Sequence, residues 1–330
     1  MSSADDSSGD PFFPPVKNGV SATPPALLET TTAALVEDLV ASAGRYASAA
    51  VAPNTTRAYR ADWAHFTAFC ASLEVAPLPA SPETVGAYIT SLADAGAAAA
   101  TIDRRLSTIR GAHRAAGLEP PASEALRLLR RGIRRTIGTA QRQATALGLD
   151  DLRRMVGALP ADCILDAARD RAVLLVGFVA ALRRSEVAAL EVEDVRFESA
   201  GMVITVRRSK TDQEGAGRVV AVPYARRPEL CAVLALRAYL EAAGRTTGRV
   251  FGIGEKTVCR IVHRAAVRAG LDPALVSGHS LRAGFATAAA SAGVHERDIQ
   301  RQTGHKSTTV LRRYIRAGEI WRDNAAGALL

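Results

Sequence analysis

Residues 202–222 read MVITVRRSKTDQEGAGRVVAV. Met202–Val206 and Arg218–Val222 are alternating or β-branched runs, the pattern of strands with one face turned inward. The polar segment between them, with Gly215 and Gly217, predicts a β-hairpin, and Lys210 falls at its tip within Arg208-Ser209-Lys210-Thr211. Outward in both directions the apolar residues return to helical spacing. On the N-terminal side an apolar helix over Ala172–Ala181 leads into Leu182-Arg183-Arg184-Ser185-Glu186. On the C-terminal side helices continue to the end of the chain. The part beginning at Leu149 therefore reads as helix, helix, a short β section, then helices, which makes the chain mainly α with a small antiparallel β section.

The N-terminal part is helical throughout. Asn54 and Thr55 can cap a helix in which Tyr59, Trp63, Phe66 and Cys70 recur every three or four residues. Ser81-Pro82-Glu83 is a capping residue followed by proline at the first helical position, with Val85, Tyr88, Ile89 and Leu92 on one face. Ile102, Leu106 and Ile109 line a third helix ending near Gly117; Ser123 opens a fourth, with Leu126, Leu129 and Ile133 inward. Residues 26–137 are thus expected to form a helical bundle whose aromatic residues belong to the core. Residues 1–25, rich in Ser, Asp, Gly and Pro, read as a flexible tail, and residues 138–148 (GTAQRQATALG) as a linker to a second domain over 149–330.

Composition limits the function. The chain has 330 residues, 48% hydrophobic and 23% charged, which suits two or three globular domains and rules out a disordered chain or a coiled-coil rod. No uncharged apolar stretch reaches the length of a membrane span, and MSSADDSSGD is no signal peptide. Cys70, Cys163, Cys231 and Cys259 lie far apart, so neither a disulfide framework nor a zinc ribbon is expected, and a reducing cytoplasm is the default. Of 42 basic residues against 33 acidic ones, only Lys17, Lys210, Lys256 and Lys306 are lysines; the rest are arginines. A formal charge of +9 carried by bidentate guanidinium groups suggests a polyanion partner, most often nucleic acid. Between Arg104 and Arg135 there are nine arginines and two acids, Glu119 and Glu124. Arg104, Arg105, Arg110, Arg130, Arg131, Arg134 and Arg135 are accordingly the expected DNA face of the first domain.

The C-terminal part concentrates side chains able to do phosphoryl chemistry. His279 and Arg282 are three residues apart at a helix start, His305 follows Gly304, and Tyr314 lies in Leu311-Arg312-Arg313-Tyr314-Ile315-Arg316. Cutting a phosphodiester with a side-chain nucleophile needs cationic donors on the non-bridging oxygens, a nucleophile, and an acid for the leaving oxygen. Two arginines, two histidines, a lysine and a tyrosine supply all three. Carboxylates are scarce among them, so no metal cage or cofactor is expected. Lys210 is the sole lysine between Lys17 and Lys256, which fits a role needing a titratable ammonium.

In this order and spacing, Arg183, Lys210, His279-x-x-Arg282, His305 and Tyr314 resemble the active-site signature of the tyrosine recombinases, the phage integrase family. The likeness extends over roughly residues 30–330 and is weaker in the helical first part, which is similar to the family's core-binding domain. The resemblance implies a two-domain clamp around double-stranded DNA and strand exchange through a 3′-phosphotyrosyl bond. Tyr314 would attack the phosphate, Arg183 and Arg282 would hold its non-bridging oxygens, and Lys210 would protonate the 5′-oxygen. His279 would exchange the tyrosine proton, His305 would hydrogen-bond the phosphate, and Glu186 would orient the cluster from behind. Arg184 stands where the family usually carries an apolar residue; the Leu-Arg-x-Ser-Glu register points to Arg183. Four protomers would assemble on two sites, residues 317–330 docking on a neighbour through Ile320, Trp321 and Leu329, with accessory proteins as possible partners. A type IB topoisomerase activity and a non-catalytic DNA-binding protein are the alternatives. All of these readings except the last require the Tyr314 hydroxyl to reach the arginine pair.

Overall fold

The computed structural model describes residues 36, 38, 39, 41–43, 45, 46, 52–139, 147–160, 164–207, 217–305 and 307–318. The expected tail, the middle of the expected linker (140–146), the hairpin tip with Lys210 and the chain beyond residue 318 lie outside them. The chain divides into two compact units, Met1–Arg142 and Gln143–Leu330.

The first unit contains α1 (Pro53–Ser72), α2 (Pro82–Asp94), α3 (Ala99–Ala115) and α4 (Glu124–Ile137). Helix α1 starts a little earlier than the expected cap. Pro53 takes the first turn after Ala52, and Asn54 instead accepts a hydrogen bond from Arg57 at 2.7 Å. Helices α2 and α4 start as their sequences dictate: the hydroxyls of Ser81 and Ser123 accept from the backbone N–H groups of Thr84 and Leu126. The core joins Phe66 and Cys70 of α1, Val85, Tyr88, Ile89 and Leu92 of α2, Ile102, Leu106 and Ile109 of α3, and Leu126 of α4. Phe66 meets Tyr88 edge-on with ring centroids 5.0 Å apart, so the aromatics are packing residues. Leu129, expected inward, is 36% exposed; only part of it covers Gly86.

The second unit contains α5 (Leu149–Gly157), α6 (Ile164–Val179), α7 (Arg184–Ala189), β1 (Val195–Glu198), β2 (Gly201–Val206), β3 (Arg218–Pro223), α8 (Ala232–Ala242), α9 (Glu255–Arg268), α10 (Ser280–Ser291), α11 (Glu296–Thr303) and α12 (Thr308–Gly318). The expected hairpin is present: β2 and β3 pair antiparallel with Met202 opposite Val222, Ile204 opposite Val220 and Val206 opposite Arg218. A third strand, β1, pairs on the other side of β2; its four residues alternate for only two periods, the minimum for a strand signal. Met202, Ile204, Val206, Val220 and Val222 face a large core built around the apolar helix α6. Leu147 belongs to that core, so the linker ends before residue 148. Its carbonyl approaches α10 so closely that a Cβ on Gly284 would lie 2.1 Å from it. A second, smaller core joins Ala286 and Ala290 of α10, Ile299 of α11, and Leu311 and Ile315 of α12, with Tyr314 packed at its edge. Among the described residues, no helix is long and apolar enough to cross a membrane.

Candidate active site

The site forms where α6 stops. Ala181 adopts a left-handed conformation (φ 49°) and the Leu182 N–H donates to the Gly177 carbonyl at 3.1 Å, ending the helix. Arg183 then caps α7. The Glu186 carboxylate turns back to accept from the Arg183 backbone N–H (3.0 Å) and from its guanidinium (2.7 Å). Glu186 is buried yet ionised: burial pushes its carboxyl up, but the Arg183 N–H and the charges of Arg218 and Arg183 outweigh that and hold it below the ordinary range.

Arg282, on the first turn of α10, is 1% exposed. It donates to the Ala181 carbonyl at 2.7 Å, while its Nε and second terminal nitrogen have no hydrogen-bond partner. Desolvation, reinforced by the charges of Arg183 and Arg218, lowers its pKa to about 9, which still leaves it cationic at neutral pH. His279 precedes α10, and its Nε2 lies 3.0 Å from the Tyr314 hydroxyl. With the ring proton on Nδ1, Nε2 is an acceptor for the phenolic hydrogen. The Tyr314 phenol is pushed up by burial and pulled down by the charges of Arg282 and Arg313. The packing of Leu311 and Ile315 against α10 holds the tyrosine there, and it comes from the same chain as the arginines.

His305 follows the left-handed Gly304 that ends α11. Its Nδ1 lies 2.8 Å from the Thr303 hydroxyl, whose own hydrogen goes to the Ile299 carbonyl, so Nδ1 carries the ring proton. Burial, then Arg282, Arg183, His279 and Arg218, lower its pKa to about 3. Arg184, by contrast, turns to α9 and contacts Glu255 and Cys259. Of the sequence-predicted set, the fold thus brings together Arg183, Glu186, His279, Arg282, His305 and Tyr314.

One member of the cluster escaped the sequence reading. Arg218 donates to Glu186 Oε2 at 2.9 Å, the oxygen that also accepts from the Arg183 backbone N–H. Its signal was the alternation of β3: residues 218, 220 and 222 share one face, and two of them are core valines. Three guanidinium groups and one carboxylate give the pocket a formal charge of +2. That charge suits a phosphodiester monoanion, and suits still better the dianionic state formed during attack.

The arginines of the first unit divide differently from expectation. Arg104 and Arg105 pair with the buried Asp62 at 3.0 and 3.6 Å, and Arg130 and Arg134 both pair with Asp103. The reading of this stretch as uncancelled charge is therefore corrected for four of the seven. Asp62 and Asp103 lie outside the counted interval but face it across helix contacts. Arg110, Arg131 and Arg135 form no ion pair with described residues.

The chain is similar to known proteins over most of its length. The Phage integrase family profile matches residues 146–319, and that of the Phage integrase, N-terminal SAM-like domain, matches residues 47–119. An integrase/recombinase xerD homolog of Selenomonas ruminantium is 38% identical over 305 residues, 88% of this chain and 89% of that protein. Recombinase cre of Escherichia phage P1 is 29% identical over 277 residues, covering 76% and 79%. A lambda integrase (75–356) dimer bound to a COC′ core site superposes with a TM-score of 0.60 at 19% identity, covering 89% of this chain and 98% of that one; this is a likeness of fold.

Proposed function

The chain belongs to the phage integrase family and is a site-specific tyrosine recombinase; we propose that Tyr314 is the nucleophile with which it cuts and rejoins DNA strands. The observation that carries this is the Tyr314 hydroxyl, 3.0 Å from His279 and within the field of Arg282. A phenol ionises near pH ~10 and is a poor nucleophile at neutral pH. In this pocket its proton passes to His279 Nε2 as the phenolic oxygen bonds to phosphorus. The phosphorus–O5′ bond breaks, the 3′ end stays on the enzyme as a phosphotyrosine ester, and the departing oxygen takes a proton. Rejoining is the reverse attack by a 5′-hydroxyl, and it conserves the ester energy.

Arg183 and Arg282 hold the non-bridging oxygens. Arg282 offers its two unpartnered nitrogen positions for this, which explains why a buried guanidinium is left incompletely bonded. Lys210 is assigned the leaving-group proton. His305 is neutral with Nδ1 already used, so to donate to a phosphate oxygen it takes up a proton when DNA binds. The bound anion favours that by offsetting the guanidinium charges. DNA is contacted through Arg110, Arg131 and Arg135 of the helical bundle, with Arg104, Arg105, Arg130 and Arg134 shaping that face through their aspartate pairs. The expected flanking tail, linker and C-terminal docking segment complete a protein that works in the cytoplasm as a tetramer on two sites.

The test begins with duplexes selected from a random pool by the purified protein. A nicked form of the selected site should give an SDS-resistant adduct with the wild type and none with Tyr314→Phe, although Tyr314→Phe still binds. An adduct that survives in Tyr314→Phe overturns the assignment, and relaxation of a plasmid lacking the selected site would point to topoisomerase activity.

A further inference from the structure

We propose that Arg218 is a positioning residue for strand cleavage: bonded to Glu186 and to the backbone at Gln302, it holds the carboxylate that orients Arg183 and locks the hairpin strand to the turn carrying His305. This deepens the recombinase reading and rests on it.

The placement of Arg218 is costly without a purpose. It occupies an inward position of β3, one register step from the valine core, and its Nε is buried without a partner. Burying a guanidinium is unfavourable by several kcal/mol in order of magnitude unless it is paired and hydrogen-bonded. Two acceptors compensate: Glu186 Oε2 at 2.9 Å and the Gln302 carbonyl at 2.8 Å. Gln302 in turn donates to the Val179 carbonyl at the end of α6, just before Arg183. The stem of Arg218 also fills the space beside Gly304, where a Cβ would lie 2.7 Å from its Cδ. Glycine at 304 is therefore required twice, for its left-handed backbone (φ 63°) and for room. Arg218 thus touches the three segments whose relative placement sets the site: α7 through Glu186, the end of α11 through Gln302, and the turn into His305 through Gly304.

The division of labour follows from the geometry of Glu186. Its Oε2 accepts from both the Arg183 backbone N–H and Arg218, so the carboxylate is held on two sides. With Arg218 on Oε2, only Oε1 is left for the Arg183 side chain. One negative charge is shared between two cations. Removing Arg218 lowers the pocket's formal charge from +2 to +1 and leaves the Arg183 backbone N–H alone to hold Glu186 Oε2. It also relieves the electrostatic pressure that keeps Glu186 ionised.

The experiment measures the rate of adduct formation on the nicked selected duplex across pH for Arg218→Gln, Arg218→Lys, Glu186→Gln and the double variants, with melting curves for each. Arg218→Gln should cleave about 100-fold more slowly, since displacement of a reacting group by about an ångström has that effect. Its DNA affinity should be nearly unchanged, and the acid limb of its rate profile should move to higher pH because Glu186 protonates more readily. Arg218→Lys should recover part of the rate, since an ammonium retains the charge but cannot span both acceptors. In the Glu186→Gln background, Arg218→Gln should add little, because the two act in series. Wild-type rates and pH profile in folded Arg218→Gln, or losses that simply add in the double variant, overturn the proposal. If Arg218→Gln does not fold, the cycle of Arg218→Lys with Glu186→Gln applies the same test. The Tyr314→Phe control reports on the recombinase reading separately: loss of adduct there supports that reading whatever Arg218 does.

Discussion

The two units use the same side chain in opposite ways. In the helical bundle, arginines sit on exposed or half-exposed helix faces, and four of them pair with Asp62 or Asp103 across helix contacts. In the second unit two guanidinium groups share a single buried carboxylate and a third, Arg282, is buried without one, leaving excess positive charge in a place water barely reaches. A pair near the surface is screened and contributes about 0–1 kcal/mol. An unneutralised charge in a desolvated pocket is unfavourable to the empty protein and stabilises any anion that enters. The number of arginines is therefore a poor guide to function; what matters is whether each has a carboxylate and how far it is from water.

That contrast can be broken experimentally. The largest effect should come from Arg282→Lys, which keeps a positive charge but loses the fork that spans the Ala181 carbonyl and the phosphate. Cleavage of the nicked duplex should fall by about 100- to 1000-fold while binding persists, as for removal of one transition-state donor. Full cleavage by a folded Arg282→Lys variant would show that charge alone suffices.

In the bundle, the paired and unpaired arginines should separate. Arg131→Ala with Arg135→Ala should reduce the salt dependence of DNA binding by about one unit of slope per arginine. Arg130→Ala with Arg134→Ala should change the slope less, because each also removes a bond to Asp103. Equal slopes for the two pairs, measured by titration at several salt concentrations, would erase the distinction.

A third effect is acid stability. His305 titrates at about 3 in the folded chain against an ordinary value of 6.5. Between those values the unfolded chain binds a proton that the folded chain does not, so stability falls as pH drops through this window. His305→Gln removes that contribution, and its melting temperature should decline less steeply from pH 6.5 to pH 4 than the wild type's. Parallel declines would mean that the ring is not held neutral.

The smallest expected effect concerns Ala181, whose left-handed backbone costs roughly 1–2 kcal/mol in a residue with a Cβ. Ala181→Gly should be stabilising by a few tenths of a kcal/mol to about 1 kcal/mol once the extra freedom of glycine in the unfolded chain is counted. Marked destabilisation in a thermal melt would show that the methyl group's packing in the core outweighs the strain.

Much of this architecture could be read before any coordinates. The capping serines Ser81 and Ser123 located the starts of α2 and α4, whereas α3, which begins without a side-chain cap, was legible only from the spacing of Ile102, Leu106 and Ile109. The β-branched runs located β2 and β3 for the same local reason. Strand β1 was not read: Val-Arg-Phe-Glu alternates for only two periods, the minimum for a strand signal. Leu147 was assigned to a linker because a lone leucine after polar residues has no pattern, and only its fit against Gly284 makes it core. In the site, Glu186 was legible only through the family resemblance of the Leu182-Arg183-Arg184-Ser185-Glu186 stretch. Arg218 was visible as an inward strand position but lost its significance without knowing what stood opposite.

The linear order of residues by itself supplied the reactive groups, a phenol, a pair of imidazoles and paired guanidinium groups, of which only His279 and Arg282 stand at helical spacing. Which of the many arginines keep their charge available was decided only by tertiary structure. Asp62 and Arg104 meet from 42 positions apart in the chain's numbering, and Glu186 and Arg218 from 32 apart. Neutralisation depends on distance and dielectric through space, and neither quantity is encoded in sequence separation.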